Sequence, residues 1–465
     1  MEVLNTINEW LWTYVVVTML VLCAMYFTVR TRFVQFRLFK DMVKVIFEKP
    51  NTKSTSNTEN KDSDISSFKA FSVALSSRVG TGNLAGVASA IFVGGPGAVF
   101  WMWVMALLGS TTAFVEATLA QLYKKRGADS FYGGPAYYME AGLGQRWMGV
   151  LFAILITITF GIANQMLQST TLCDAISDTF AWNKAVVGAV VTIATVIIIF
   201  GGIQRISRFA AVVVPFMAMA FIVLALYVVI ANIGKLPSVF ALIIDSAFGV
   251  RSAAGGMVGV AVLQGVKRGL FSNEAGEGSA PNAAAIATTS HPIKQGLLQA
   301  FGVFVDTLIV CTCTAFIILI SGVYDCGKDG ILLTSEAMNH EMGSLGRYFI
   351  TAAIFLFAYS TIIANYFYGE TNIRFVFKSR WAVFSFRIVT SIIIMVGALM
   401  TLQDAWAYVD ICMGFMTITN LVAIFLLSPK VFAMLKHYEK QKKEKQDPVF
   451  HKDDLEENNG VECWN

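Results

Sequence analysis

Charge is what this chain has least of. Only 14% of its 465 residues are acidic or basic, while 56% are hydrophobic, and the mean hydropathy is +0.62. A soluble domain carries roughly 25% charged residues. A soluble enzyme is therefore excluded, with or without a single anchor, and an integral membrane protein is left. Histidine is scarcer still, with four residues, too few and too scattered for a metal cluster, and His291 and His340 read as isolated loop residues. The seven cysteines show no CxxC or metal-type spacing, and Cys311 and Cys313 lie too close along a helix for disulfide geometry. No phosphate-binding glycine loop ending in Gly-Lys-Ser/Thr occurs, so ATP-driven transport has no support. The net charge of +4 is small and clustered in loops, which gives no case for nucleic acid. Met1–Trp10 carries Glu2 and Glu9 and lacks a basic n-region, so the first span is expected to be retained.

What the chain does have is long apolar runs. Eleven can be placed, at Leu11–Val29, Phe68–Val93, Gly97–Leu122, Trp147–Leu167, Ala185–Gly201, Phe209–Ile233, Ser252–Ala287, Gly296–Ser321, Gly346–Asn365, Trp381–Leu402 and Ala405–Leu427. Basic residues fall in alternate loops: Arg30 to Lys49 after the first run, Lys124–Arg126 after the third, then Arg205 and Arg208, Lys294, and Arg374 to Arg380, with a lysine-rich tail. The positive-inside rule then puts the N-terminus outside and the C-terminus in the cytoplasm, as an odd number of spans requires.

Two of the runs are interrupted. Ser76-Ser77-Arg78-Val79-Gly80-Thr81-Gly82-Asn83-Leu84-Ala85-Gly86 stands mid-run, and Arg268–Pro281 repeats the anomaly. A glycine costs about 1 kcal/mol in a helix interior, and an arginine at membrane depth roughly 2.5–3.5 kcal/mol. Irregular backbone at that depth persists only where protein encloses it or a wet cavity faces it. Both stretches therefore read as broken helices that face a ligand. With the first run set aside, the breaks fall at the start of two blocks of five. Five is odd, so the second block begins on the opposite face of the membrane. That is an inverted repeat, the topology of the leucine-transporter fold. The expected fold is thus an all-α membrane protein of eleven transmembrane helices, one extra N-terminal helix preceding a 5+5 inverted repeat.

The expected organisation is the extra helix and a basic segment at 1–50, a polar linker at 51–67, repeats at 68–235 and 236–430, and a charged tail at 431–465. Tyr132–Glu140 is expected to lie along the cytoplasmic interface and Leu236–Phe248 along the outer one. Tyr324–Glu341 is the largest external loop, and Gln441–Asn465 is expected to be solvated and disordered towards its end.

A coupling cation wants hard oxygen ligands. The first break offers the carbonyls of Ser76 and Val79, and Phe357-Ala358-Tyr359-Ser360-Thr361 offers two hydroxyls, which can equally be back-bonded to the preceding turn. Half-helix N-termini suit a carboxylate, and Gly80–Asn83 and Gly276–Ser279 are where they should fall. Carbonyls near Phe271 and Ser272, with Asn273, can accept from an ammonium. Gln168, in a polar run with Asn164 and Gln165, is either a substrate contact or an interhelical hydrogen bond. Arg78, Lys267 or Arg268, and Glu274 either pair with one another or serve coupling directly.

Ser76–Gly86, Gly94–Trp103, Glu116–Ala120, Gly133–Ala136, Gly269–Pro281, His291-Pro292 and Gly302–Thr314 resemble the alanine/glycine:cation symporter family over about Phe68 to Pro429. The resemblance implies a leucine-transporter-like fold and sodium-driven uptake of small neutral amino acids, chiefly alanine and glycine, with glutamine carriers among the relatives. It implies a multi-pass protein of a bacterial inner membrane, with sodium as coupling ion, no other cofactor and no enzymatic chemistry. Carried over by position, Thr81, Gly82, Asn83, Gln168, Phe271, Asn273 and Gly276 are similar to substrate-site residues. Ser76, Val79, Phe357, Ser360 and Thr361 are similar to the main sodium site. Three places depart from the commonest pattern: Ser77-Arg78 for a glycine and a small polar residue, Glu277 for an apolar residue, and Asn365 for a tryptophan that closes the pocket. Asn365, about one turn beyond Thr361 on the same helix face, is expected beside the substrate side chain. An ion channel would also place broken helices at midplane, but with symmetric short re-entrant filters and fewer spans per subunit; a non-transporting amino-acid sensor is the other alternative, and an uptake assay separates it.

Overall fold

The computed structural model describes residues 2–48, 65–127, 130–249 and 255–464, without the side chains of 2–5 and 255–257. The linker expected at 51–67 lies outside them up to residue 64. In chain order the helices are α1 (Thr6–Arg30), α2 (Phe39–Ile46), α3 (Ser67–Arg78), α4 (Gly82–Gly94), α5 (Ala98–Leu122), α6 (Pro135–Leu143), α7 (Arg146–Phe180), α8 (Lys184–Ile199), α9 (Gly202–Ala231) and α10 (Leu236–Phe248), then α11 (Gly255–Asn273), α12 (Ala280–Ala284), α13 (Pro292–Ser321), α14 (Gly330–Met342), α15 (Ser344–Val376), α16 (Arg380–Gly397) and α17 (Leu402–Lys443). Besides helix there is a two-residue antiparallel pairing of Lys125–Arg126 with Phe131–Tyr132.

Among the described residues eight helices, α1, α5, α7, α9, α13, α15, α16 and α17, are long and apolar enough to cross a membrane. The runs expected at Phe68–Val93 and Ser252–Ala287 are each divided by a break, and α8 has only 16 residues. A lipid-facing side is visible on α9. Val212, Phe216, Met219, Val223, Tyr227 and Ile230 are exposed, while Val214, Met217, Phe221, Ala225 and Val228 on the other face are buried. That one-sided burial is the helical period of three to four residues with lipid taking the place of water. Helix α5 is the spine, packed along α11 and α13, and α15 lies against α7, α9 and α3. The two broken regions are enclosed between these two groups.

Three expectations fail around the C-terminal end of the chain. The tail is not solvated. Phe450, Leu455, Val461 and Trp464 are buried; Phe450 N–H donates to Ser290 O at 2.9 Å, and Trp464 Nε1 donates to Gln121 O at 3.0 Å. The average polarity of the tail hides four apolar anchors, and burying such side chains yields about 1.5–3 kcal/mol each. Helix α17 also runs through Pro429 to Lys443, beyond the boundary expected at 430, held by Arg37–Glu439 at 2.6 Å and by Lys442 on Asp41. Nor is His291 isolated: its Nδ1 accepts from Ile293 N–H at the start of α13, and its ring stacks on His437. All seven cysteines are free thiols.

Candidate functional site

Helix α3 stops at Arg78 because Val79 leaves helical geometry (φ −77°, ψ 82°), and the chain re-enters a helix at Thr81 through a π turn over Gly82–Gly86. Helix α11 stops at Asn273 because Glu274, Gly276 and Gly278 all adopt positive φ (55°, 99° and 85°). Two of these three are glycines, which take the left-handed region without a Cβ penalty. The breaks touch: a Cβ on Gly82 would stand 3.0 Å from the Phe271 ring and 3.1 Å from Ser272 Cα. Further π turns interrupt α7 at Thr159–Ala163 and α13 at Phe304–Cys311. Such turns concentrate at functional sites; the one at Phe304–Cys311 meets both breaks through Asp306, which accepts from Asn83 and Ser272, while the one at Thr159–Ala163 packs on α15, α16 and α17.

Three of the five residues expected at a cation site, Ser76, Phe357 and Thr361, meet at one point. The Thr361 hydroxyl lies 2.9 Å from Ser76 O, 3.3 Å from Ser77 O and 3.0 Å from Phe357 O. One hydroxyl has one proton, so only one of these contacts is a full hydrogen bond, and the remaining carbonyl density faces the same point. Ser360 Oγ also donates to Phe357 O, at 2.9 Å, and like the Thr361–Phe357 contact this reaches back to the preceding turn; only Thr361 adds the α3 carbonyls. Val79 follows Ser76 by less than a turn and supplies the bend. Gly80 seals the arrangement, because a Cβ there would overlap the Thr361 hydroxyl and stand 3.3 Å from Gln168 Oε1. Overpacking a full core costs about 1–3 kcal/mol. Gly80→Ala is accordingly expected to lower sodium affinity by about tenfold or more while the protein still folds, read by sodium titration of uptake beside a melting curve.

The expected substrate residues surround the restart of α4. Gly80 N–H donates to Asn83 Oδ1 at 2.9 Å, and Thr81 N–H to Gln168 Oε1 at 3.3 Å. Amide donors at a half-helix N-terminus are thus satisfied by side-chain carbonyls, acceptors that a carboxylate can replace. Beneath them, Asp306 accepts from Asn83 Nδ2 (2.7 Å), Ser272 Oγ (2.6 Å) and Thr307 Oγ1 (2.8 Å), and Asn273 Nδ2 reaches Thr307 Oγ1 (3.3 Å). The Phe271 ring meets Trp406 edge-on with centroids 4.7 Å apart. Gly276 N–H points the other way, to Glu116.

Asn365 is buried among other polar side chains. Its Oδ1 lies 2.9 Å from Ser77 Oγ, which also bonds Glu274, and its Nδ2 has no partner. A hydroxyl that donates to the carboxylate cannot also donate to Asn365. Turning the carboxamide over lets Nδ2 donate to Ser77 Oγ and removes that conflict. Two departures from the common family pattern, Ser77 and Asn365, therefore form one polar chain with Glu274.

The charged residues divide into pairs and loners. Arg268 makes a two-pronged contact with Asp410 (2.9 and 3.2 Å), Lys267 joins the same carboxylate at 2.6 Å, and the Arg268 guanidinium lies 3.7 Å over Trp406. Arg78 instead donates to the Gln299 carbonyl at 3.0 Å. Asp306, Asp410 and Asn420 were missed as sequence candidates, and Glu116 carried no role, although lone carboxylates inside apolar runs are themselves a signal.

A family model described as the sodium:alanine symporter family matches residues 1–452. A Bacillus subtilis protein named "Probable sodium/glutamine symporter GlnT" is 48% identical, covering 100% of this chain and 96% of that one. The Bacillus subtilis "Amino-acid carrier protein AlsT" is 46% identical, covering 100% and 97%. Among solved structures, the substrate-bound outward-open state of a Na+-coupled sialic acid symporter superposes with a TM-score of 0.55 at 15% identity, covering 85% of this chain and 86% of that one, which is a likeness of fold.

Proposed function

The chain belongs to the sodium:alanine symporter family, and from that premise we propose that it imports small neutral amino acids, chiefly alanine and glycine, on an inward sodium gradient by alternating access. It is a multi-pass membrane transporter and no enzyme. The carrying observation is the convergence of Ser76, Ser77 and Phe357 carbonyl oxygens on the Thr361 hydroxyl beside two touching broken helices. Hard oxygens without a lysine or arginine among them suit a monovalent cation. In this reading Ser76, Val79, Phe357, Ser360 and Thr361 hold sodium. Thr81, Gly82, Asn83 and Gln168 receive the carboxylate. Phe271 and Asn273 frame the ammonium and side chain, and Gly276, whose N–H is turned to Glu116, acts on them by setting the bend of the break. Asn365 acts on the pocket through Ser77 and Glu274. Eleven spans, the inverted repeats at 68–235 and 236–430, an outer N-terminus and a cytoplasmic C-terminus belong to the same reading.

A second reading, glutamine as main substrate, is favoured by the 48% identical relative whose name contains it. Proteoliposomes with an imposed sodium gradient decide between them. Labelled alanine and glycine are expected to accumulate above equilibrium, and to stop doing so when the gradient is collapsed. Accumulation of glutamine alone selects the second reading, and no sodium-dependent accumulation of any amino acid rejects both.

A further inference from the structure

Four buried carboxyl groups surround the second break, Glu116, Glu274, Glu277 and Asp306, and one cation, Arg78, is within electrostatic reach of all of them. Three of the four are furnished with donors. Glu116 accepts from the backbone N–H groups of Gly276 (3.2 Å) and Gly278 (3.1 Å) and from Asn420 Nδ2 (2.9 Å). Glu274 accepts from Ser77 and from Ser279 (2.5 Å), and Asp306 from Asn83, Ser272 and Thr307. Donors of this kind favour the ionised form. Glu277 is the exception: it is 1% exposed, and neither of its carboxyl oxygens has a hydrogen-bond partner.

The charged groups that face Glu277 are Glu274 from its own segment, Glu116 from α5 and Arg78 from α3; Tyr368 of α15 faces Glu274, Glu116 and Arg78, and Tyr138 of α6 faces Glu116. Two like charges against one shared cation, with no donor, make an ionised Glu277 costly in this conformation. Arg78 is its complement. It spends Nη1 on Gln299, while Nε and Nη2, the edge that fits a carboxylate with two parallel bonds, have no partner.

We infer that Glu277 is a proton-binding site: its carboxyl carries a proton in this conformation, and once water has taken that proton the carboxylate pairs with the free Nε–Nη2 edge of Arg78. The O–H bond of the acid breaks, the proton leaves on water, and the negative charge left behind is met by a guanidinium already present. The pair joins the segment after the second break to the end of α3, the helix that carries Ser76. The proton therefore controls how the two broken helices are tied together, a consequence that rests on the transport reading.

Glu277→Gln keeps the size and neutrality of the protonated acid and cannot ionise. With saturating sodium, the initial uptake rate of the wild type is expected to change by about threefold or more between about pH 5.5 and 8.5, and that of Glu277→Gln to stay flat. A flat wild-type profile, or a variant that keeps the wild-type profile, overturns the inference. An infrared spectrum of the purified protein in detergent tests the same point without transport. The carbonyl band of protonated carboxylic acids is expected to shrink in Glu277→Gln, and an unchanged band overturns the inference. If the wild type transports no amino acid, the transport reading fails and the band alone decides this one.

Discussion

Replacing Thr361 by valine is expected to raise the sodium concentration for half-maximal uptake by roughly 10- to 100-fold, while Thr361→Ser stays close to wild type. The hydroxyl is the one side-chain oxygen that lies among the carbonyls of Ser76, Ser77 and Phe357. Hydrogen-bond-scale interactions with a charge are worth about 1.5–3 kcal/mol, and every 1.4 kcal/mol is tenfold in affinity. Valine keeps the volume and β-branching of threonine, so packing against Gly80 survives and the missing oxygen is isolated. Ser360 is the internal control, because its hydroxyl is placed on Phe357 O and Met217 Sδ and, unlike that of Thr361, on neither carbonyl of α3. Ser360→Ala is expected to shift the sodium response less than Thr361→Val. A Thr361→Val variant that titrates with sodium like wild type would sink the assignment of this cluster as the coupling site.

The breaks were legible because their causes are local. Glycine and hydroxyl residues in the middle of an apolar run contradict the run they stand in, and the backbone departs from the helix where the contradiction is sharpest, at Val79–Thr81 and Glu274–Ser279. The partners of the charges were not legible. Asp410 meets Arg268 across 142 positions of sequence, and nothing in local composition says which of several buried carboxylates a buried arginine will find. Asn365 shows the same limit. Helical spacing puts it one turn beyond Thr361, and nothing local says that its carboxamide meets Ser77, which in turn bonds Glu274 of another segment. The tail failed for a different reason: Phe450, Leu455, Val461 and Trp464 are spaced among charges that dominate any window average.

Removing the Asp410 carboxylate should produce the largest loss of stability of any single substitution considered. Asp410 is 3% exposed and is the shared partner of two buried cations, Arg268 and Lys267. Its backbone carbonyl also accepts from Trp12 Nε1 at 3.0 Å, which ties α1 to α17. Truncating one member of a buried ion pair costs about 3–5 kcal/mol, because the remaining charge is left desolvated without compensation. Here two charges would be left. Stacking of Arg268 on Trp406, 3.7 Å from guanidinium carbon to ring centroid, offsets part of that cost and cannot replace the carboxylate. Asp410→Ala is therefore expected to melt far below the wild type in detergent and to lose sodium-driven uptake with it. The triple variant Lys267→Met, Arg268→Met, Asp410→Leu removes the whole network at similar volume, and such replacements are often neutral or stabilising. It is expected to regain much of the melting temperature. If Asp410→Ala melts like the wild type, the network is solvated and contributes little. If the triple variant is as unstable as the single one, Asp410 acts through its packing, and the electrostatic account of this corner of the fold is wrong.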